Sequence, residues 1–135
     1  PDAVVMVRPH AFTPNPQTAA DNRFQSPGDG TPASAVAAAA YAEVTAAAAT
    51  LERHGVRVHL FDDTGERDTP DAVFPNNWFS THAGGHIALY PMYSPNRRRE
   101  RRQDVIEMLK AEYRVQDVID YSGGGAGALC HPFQL

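Results

Sequence analysis

Cysteine is nearly absent from this 135-residue chain. The single Cys130 cannot form an internal disulfide, so the fold does not depend on an oxidising compartment. Long apolar runs are missing as well. No stretch approaches the roughly 20 residues of a membrane-spanning helix, and an integral membrane protein is not expected. No basic segment followed by an apolar stretch opens the sequence, so no secretory signal is visible and a cytoplasmic location is the default expectation. Positive charge is not in excess either: the formal net charge of −4 argues against a general nucleic-acid binder. What is present suffices for a core, because 42% hydrophobic against 21% charged residues is not the composition of a disordered chain. The length suits one domain or part of a larger one.

Residues 3–8 (AVVMVR) are a short β-branched apolar run ahead of Pro9 and predict a buried strand. From 9 to 32 the chain is rich in Pro, Asn, Thr, Asp and Gly without any period. Proline fixes φ and removes a donor, which forbids a regular element there. Phe12 and Phe24 stand among Asn15, Thr18, Asp21 and Asn22, and such anchoring favours an ordered loop at a site over disorder. Thr31 and Pro32 predict a helix start, with Thr31 as N-cap and Pro32 as the first helical residue. Residues 33–53 are dominated by alanine, the best helix former, with Val36, Ala40, Val44, Ala47 and Leu51 marking the buried face. His54 and Gly55 end the helix, and the alternation of 56–61 (VRVHLF) predicts a strand that completes a βαβ unit.

The segment 70–80 (PDAVFPNNWFS) sets Asp71, Asn76 and Asn77 among Val73, Phe74, Trp78 and Phe79. Polar groups where burial is expected need partners, and a ligand can be one of them. A turn over 81–85 and a strand over 86–90 predict a hairpin. A helix over 97–113 follows, with Val105, Ile106, Leu109 and Tyr113 as its apolar stripe, then a last strand over 114–121. Beyond it SGGGAGALCHPFQL is glycine-rich and aperiodic. The expected organisation is a domain over 1–121 and a disordered or non-native tail over 122–135.

Arg97–Arg102 (RRRERR) is the loudest charge feature. As a nucleic-acid contact it would neutralise phosphates, but it lacks interleaved aromatics, and a solvated helix start accounts for it. One arginine turned inward would suit a bidentate contact to a substrate carboxylate. His82 and His86 are four apart across a glycine turn, which makes a poor metal pair. Cys130 beside His131 lies in the tail, where no base or thiolate-stabilising group is held in geometry. Asp71, Asn76, Asn77 and Arg97 remain: turn and cap chemistry on one reading, recognition of a small amino acid on the other. They contain no nucleophile.

The segments 6–25 (MVRPHAFTPNPQTAADNRFQ), 70–82 (PDAVFPNNWFSTH) and 89–102 (LYPMYSPNRRRERR) together resemble the arginine-deiminase-related, amidinotransferase-type proteins of the pentein superfamily, in particular the citrulline-utilisation hydrolases. The resemblance implies an α/β fold, a propeller of five ββαβ blades of which this chain would supply about two, with mixed sheets and helices outside. It also implies a cysteine thiolate attacking a guanidino or ureido carbon, a histidine acid/base, and no metal or organic cofactor. PDAVFPNN resembles the dimethylaminohydrolase pattern Asp-x-Val-Phe-x-Glu-Asp: Asp71 keeps the first acid, while Asn76 and Asn77 replace Glu and Asp. An amide can donate as well as accept, so Asn77 suits a neutral ureido oxygen better than a cationic guanidinium. Arg97 falls near the arginine that binds the substrate carboxylate in relatives. With Phe12 and Asn22 these residues make the expected substrate-binding set.

Family members continue well beyond this length and carry their histidine and cysteine in the second half, so the chain is expected to hold half of a substrate site. The partner implied is a citrulline- or arginine-like small molecule, with no nucleic acid and no membrane. Exposed sheet edges would permit self-association. The alternatives left open are a non-catalytic amino-acid-binding module, a deiminase, dimethylarginine hydrolase or amidinotransferase activity, and a basic-helix interaction protein.

Overall fold

The structure, a computed structural model, describes residues 2–18 and 30–123. The chain divides into two compact units, Pro1–Pro75 and Asn76–Leu135. The fold is mixed α/β, with one sheet in each unit.

The first unit is the expected βαβ. Strand β1 (Ala3–Pro9) pairs in parallel with β2 (Arg57–Asp63), from Ala3 opposite Arg57 to Pro9 opposite Asp63. The crossover is helix α1 (Ala33–Arg53), which packs along both strands. The predicted helix bounds hold, but the start differs. Pro32 is the N-cap and no side chain caps it, so Thr31 does not have that role. The inward face also shifts: Ala48 is buried and Ala47 exposed, as four-residue steps from Ala40 and Val44 require. A further correction concerns membranes. At 21 residues α1 is long and apolar enough to cross one, because its alanines raise hydropathy without forming a bulky apolar run. Length and composition alone say no more than that.

The second unit runs β3 (Phe79–His82), β4 (His86–Leu89), helices α2 (Pro95–Arg98) and α3 (Gln103–Glu112), and β5 (Asp117–Asp120). The sheet order is β3-β4-β5, antiparallel then parallel, which gives a ββαβ connection. The hairpin turn is drawn so close to the segment before β5 that a Cβ on Gly85 would lie 2.2 Å from the Arg114 carbonyl oxygen. Trp78, 1% exposed, and Phe79 are buried with their rings 4.5 Å apart.

The single helix expected over 97–113 is broken. Residues 99–102 leave the helix, and Arg102 is extended as the N-cap of α3. The apolar stripe explains the break, because Val105, Ile106 and Leu109 are buried whereas 97–102 offer no apolar position to dock. Tyr113 lies outside α3 and is exposed. Of the tail, Tyr121–Gly123 forms one 3-10 turn, and 124–135, Cys130 included, lie outside the described residues.

Candidate functional site

Two segments leave the carboxyl ends of β1 and β2, the ends at which parallel α/β sheets usually place their ligands. The first, residues 10–18, starts beside the second: the His10 amide donates to the Asp63 carbonyl at 2.9 Å. Gly65, at φ +86°, approaches so closely that a Cβ there would stand 2.6 Å from the Ala11 Cβ. The buried Asp63 carboxylate accepts from Thr69 Oγ1 at 3.0 Å and ties the second segment back to its strand. Between the two segments, Asn15 Nδ2 donates to Asp71 Oδ2 at 2.7 Å, across 56 positions of sequence.

Asn15 is 1% exposed. Its Oδ1 accepts from the Gln17 amide at 3.0 Å and its carbonyl from the Thr18 amide at 3.2 Å, so the side chain is gripped at both ends. A fully satisfied buried amide holds Asp71 in one orientation. Phe12 lies half-buried in the same segment. Asn22, the other residue expected from that loop, is outside the described residues, as are Asp21 and Phe24.

At the same strand ends, toward α1, Asp62 accepts from Arg8 Nε at 2.7 Å and Nη2 at 3.1 Å, and pairs with His10 Nε2 at 3.0 Å. Arg8 lies over the Tyr41 ring at 4.8 Å, and His10 meets that ring edge-on. The Arg8 hydrogen bond, followed by that of His10, holds the Asp62 carboxyl down at about 2.

The second unit opens with Asn76 and Asn77, the end of a 3-10 turn (Pro75–Asn77). Both are exposed. Asn77 Oδ1 accepts from Arg97 Nη2 at 2.8 Å. Arg97 also gives Nε and Nη2 to the carboxylate oxygens of Glu100 at 2.9 and 3.1 Å. Side-chain exposure is 15% for Arg97 and 1% for Glu100, so this is an enclosed bidentate pair. A substrate carboxylate, the partner the resemblance implies for Arg97, would compete with Glu100 for those two nitrogens. Asn76 makes no side-chain hydrogen bond among the described residues.

The arginine run is solvated in part: Arg98 and Arg99 are exposed, while Arg97 turns to the buried Glu100. Arg98 donates to the carbonyls of Met92 and Tyr93, Arg101 to Ser122 and Asp120, and Arg102 to Asp104. These three guanidinium groups each fasten a neighbouring stretch of chain. His82 and His86 stand opposite each other in the hairpin, but their rings turn to Ser80 and Asp117. Among the described residues no group of three or more His, Cys, Asp or Glu could hold a metal ion.

Within the units, then, Asp71 is joined to Asn15, and Asn77 to Arg97 and Glu100. The sequence marks Asn15 as part of a polar loop without indicating its partner, and Glu100 is not among the expected site residues. The second omission had a signal, since Arg97 and Glu100 have the i, i+3 spacing of a helical ion pair.

No curated protein and no solved structure matches the chain. A family model does. It is described as N,N dimethylarginine dimethylhydrolase, eukaryotic, and it matches residues 8–128, a span that contains both gripping pairs. The chain therefore belongs to this dimethylarginine dimethylhydrolase family of the pentein superfamily, hydrolases of a guanidino C–N bond.

Proposed function

We propose that this chain is the substrate-gripping, N-terminal part of a pentein-type hydrolase, and that its substrate is an arginine-derived amino acid with a ureido head, citrulline being the type. The orientation of Asn77 carries the reading. An arginine has donors only, so the amide oxygen must face Arg97, and it does so at 2.8 Å. The Nδ2 group is thereby turned away and engages nothing among the described residues. An outward amide donor meets a ureido oxygen favourably. It meets a guanidinium, itself all donors, unfavourably. Asp71, held by Asn15, is an acceptor suited to a substrate N–H. Asn76, Phe12 and Asn22 complete the proposed contact set. The thiolate that the superfamily chemistry requires is not among the described residues, since the one cysteine is Cys130. A propeller built from the βαβ and ββαβ units fits this reading.

A second reading follows from the family description itself: dimethylarginine as substrate, with dimethylamine released. The two differ in the charge of the head group. Release of ammonia or dimethylamine from citrulline, arginine and dimethylarginine, with Cys130→Ser in parallel, is the first assay, and calorimetry with the same compounds is the second. The proposal expects citrulline to bind more tightly than either cationic compound. Tighter binding of dimethylarginine selects the second reading. Affinity without turnover leaves a binding module, and turnover abolished in Cys130→Ser makes Cys130 the nucleophile.

A further inference from the structure

We infer that Glu100 is a positioning residue for substrate discrimination: through Arg97 it sets which end of the Asn77 amide faces outward. This rests on the reading of Asn77 as the residue that meets the substrate head group, and it adds the group that enforces that orientation.

An asparagine side chain is nearly symmetric in shape, and turning it over exchanges a donor for an acceptor at almost no steric cost. Something must therefore select one orientation. In this chain the selector is a planar fork. Glu100 takes Nε and Nη2 of Arg97 on one edge of the guanidinium, at 2.9 and 3.1 Å. With that edge fixed, the remaining Nη2 hydrogen has one direction left, and Asn77 Oδ1 lies there at 2.8 Å. A flipped Asn77 would set two donor groups against each other at hydrogen-bond distance.

The Glu100 side chain is only 1% exposed, so its charge is not dispersed into solvent and the fork has little freedom to swing. Local backbone supports the arrangement: the Arg97 amide donates to the Ser94 carbonyl and the Glu100 amide to that of Arg97, at 3.0 and 3.1 Å. Glu100 touches no substrate in this account. Its effect is on selectivity, through Arg97.

A purely architectural ion pair would give the same coordinates, so the test must read discrimination. Calorimetry of citrulline and of arginine would be run on the wild-type chain, Glu100→Gln, Asn77→Asp and the double variant. Glu100→Gln keeps the shape but replaces one of the two acceptors that Arg97 needs with a donor, and removes the charge. The citrulline-over-arginine affinity ratio should then fall roughly five- to tenfold, the scale of one hydrogen bond gained or lost. With Asn77→Asp both oxygens accept and orientation loses its meaning, so adding Glu100→Gln should leave the ratio unchanged within about twofold. Equal weakening of both ligands by Glu100→Gln, with the ratio intact, would overturn the inference.

A second readout needs no ligand. The side-chain amide resonances of Asn77, identified by their loss in Asn77→Asp, should shift and broaden in Glu100→Gln, and unchanged resonances would also overturn the inference. If they respond but neither amino acid binds, the orienting of Asn77 by Glu100 stands, and the discrimination between these two compounds falls with the substrate reading. Should Glu100→Gln not fold, Arg97→Lys replaces it in both measurements, because one ammonium cannot hold the fork.

Discussion

Asp62 shows how single charges are used to hold strand ends. Its carboxyl lies at about 2, below the ordinary 3.8, because Arg8 and then His10 donate to the ionised form. A folded-state value below the unfolded one stabilises fully above about pH 4, and the contribution is lost as pH falls from about 4 toward 2. Asp62→Asn removes that dependence. Melting temperatures at pH 6 and pH 3 should therefore lie closer together in the variant than in the wild type, and equal spacing would show that the pair is energetically idle.

Asn15 is the stricter case, being buried and bonded at both ends of its amide. Asn15→Ala leaves Asp71 and the Gln17 amide short of a partner, so denaturant unfolding should show a loss of about 2 kcal/mol. Asn15→Asp should be worse near neutral pH, because it sets a second carboxylate against Asp71. It should recover on acidification as one of the two takes a proton. An Asn15→Asp variant as stable as the wild type at pH 7 would remove Asn15 from the account of the site.

At the scale of elements, the hairpin between β3 and β4 and the helix that followed it in prediction had different fortunes. Gly84 and Gly85 both have φ near +85° and were legible as a turn. What the sequence does not display is that only Gly85 is crowded, by the backbone of the segment 114–116, while Gly84 faces the movable His86 ring. Gly85→Ala should therefore cost more than Gly84→Ala, by at least about 1 kcal/mol in chemical denaturation. Equal costs would mean that conformation alone, and not the close approach, requires glycine there.

The arginine run misled because arginine is a good helix former and nothing in 97–102 contradicts a helix. The break falls where the apolar stripe stops: Val105, Ile106 and Leu109 are docked, while 97–102 have no apolar side chain to hold a continuous helix against the core. α1 was legible from its alanines alone, and those same alanines give it a membrane-like hydropathy without any bulky apolar run.

For the whole molecule, the βαβ order and the parallel pairing of β1 with β2 followed from local pattern, and so did the hairpin. The superfamily was legible in three short segments, and the family match agrees with it at that level. The gripping pairs were not legible. Asn15 meets Asp71 across 56 positions and Arg97 meets Asn77 across 20, and no local rule ties such positions together. Only folding into units brings them into contact. Once there, each pair obeys ordinary donor and acceptor chemistry, and in the reading we propose the outward amide of Asn77 is the group that would tell a neutral from a cationic head group.

The most direct test is a calorimetric titration of citrulline and arginine into the wild-type chain and into Asn77→Asp. The account predicts that citrulline binds more tightly to the wild type and that the preference moves toward arginine by roughly tenfold in the variant, as a donor is exchanged for a charged acceptor. A wild-type preference for arginine, or a preference that Asn77→Asp leaves unmoved, would contradict it.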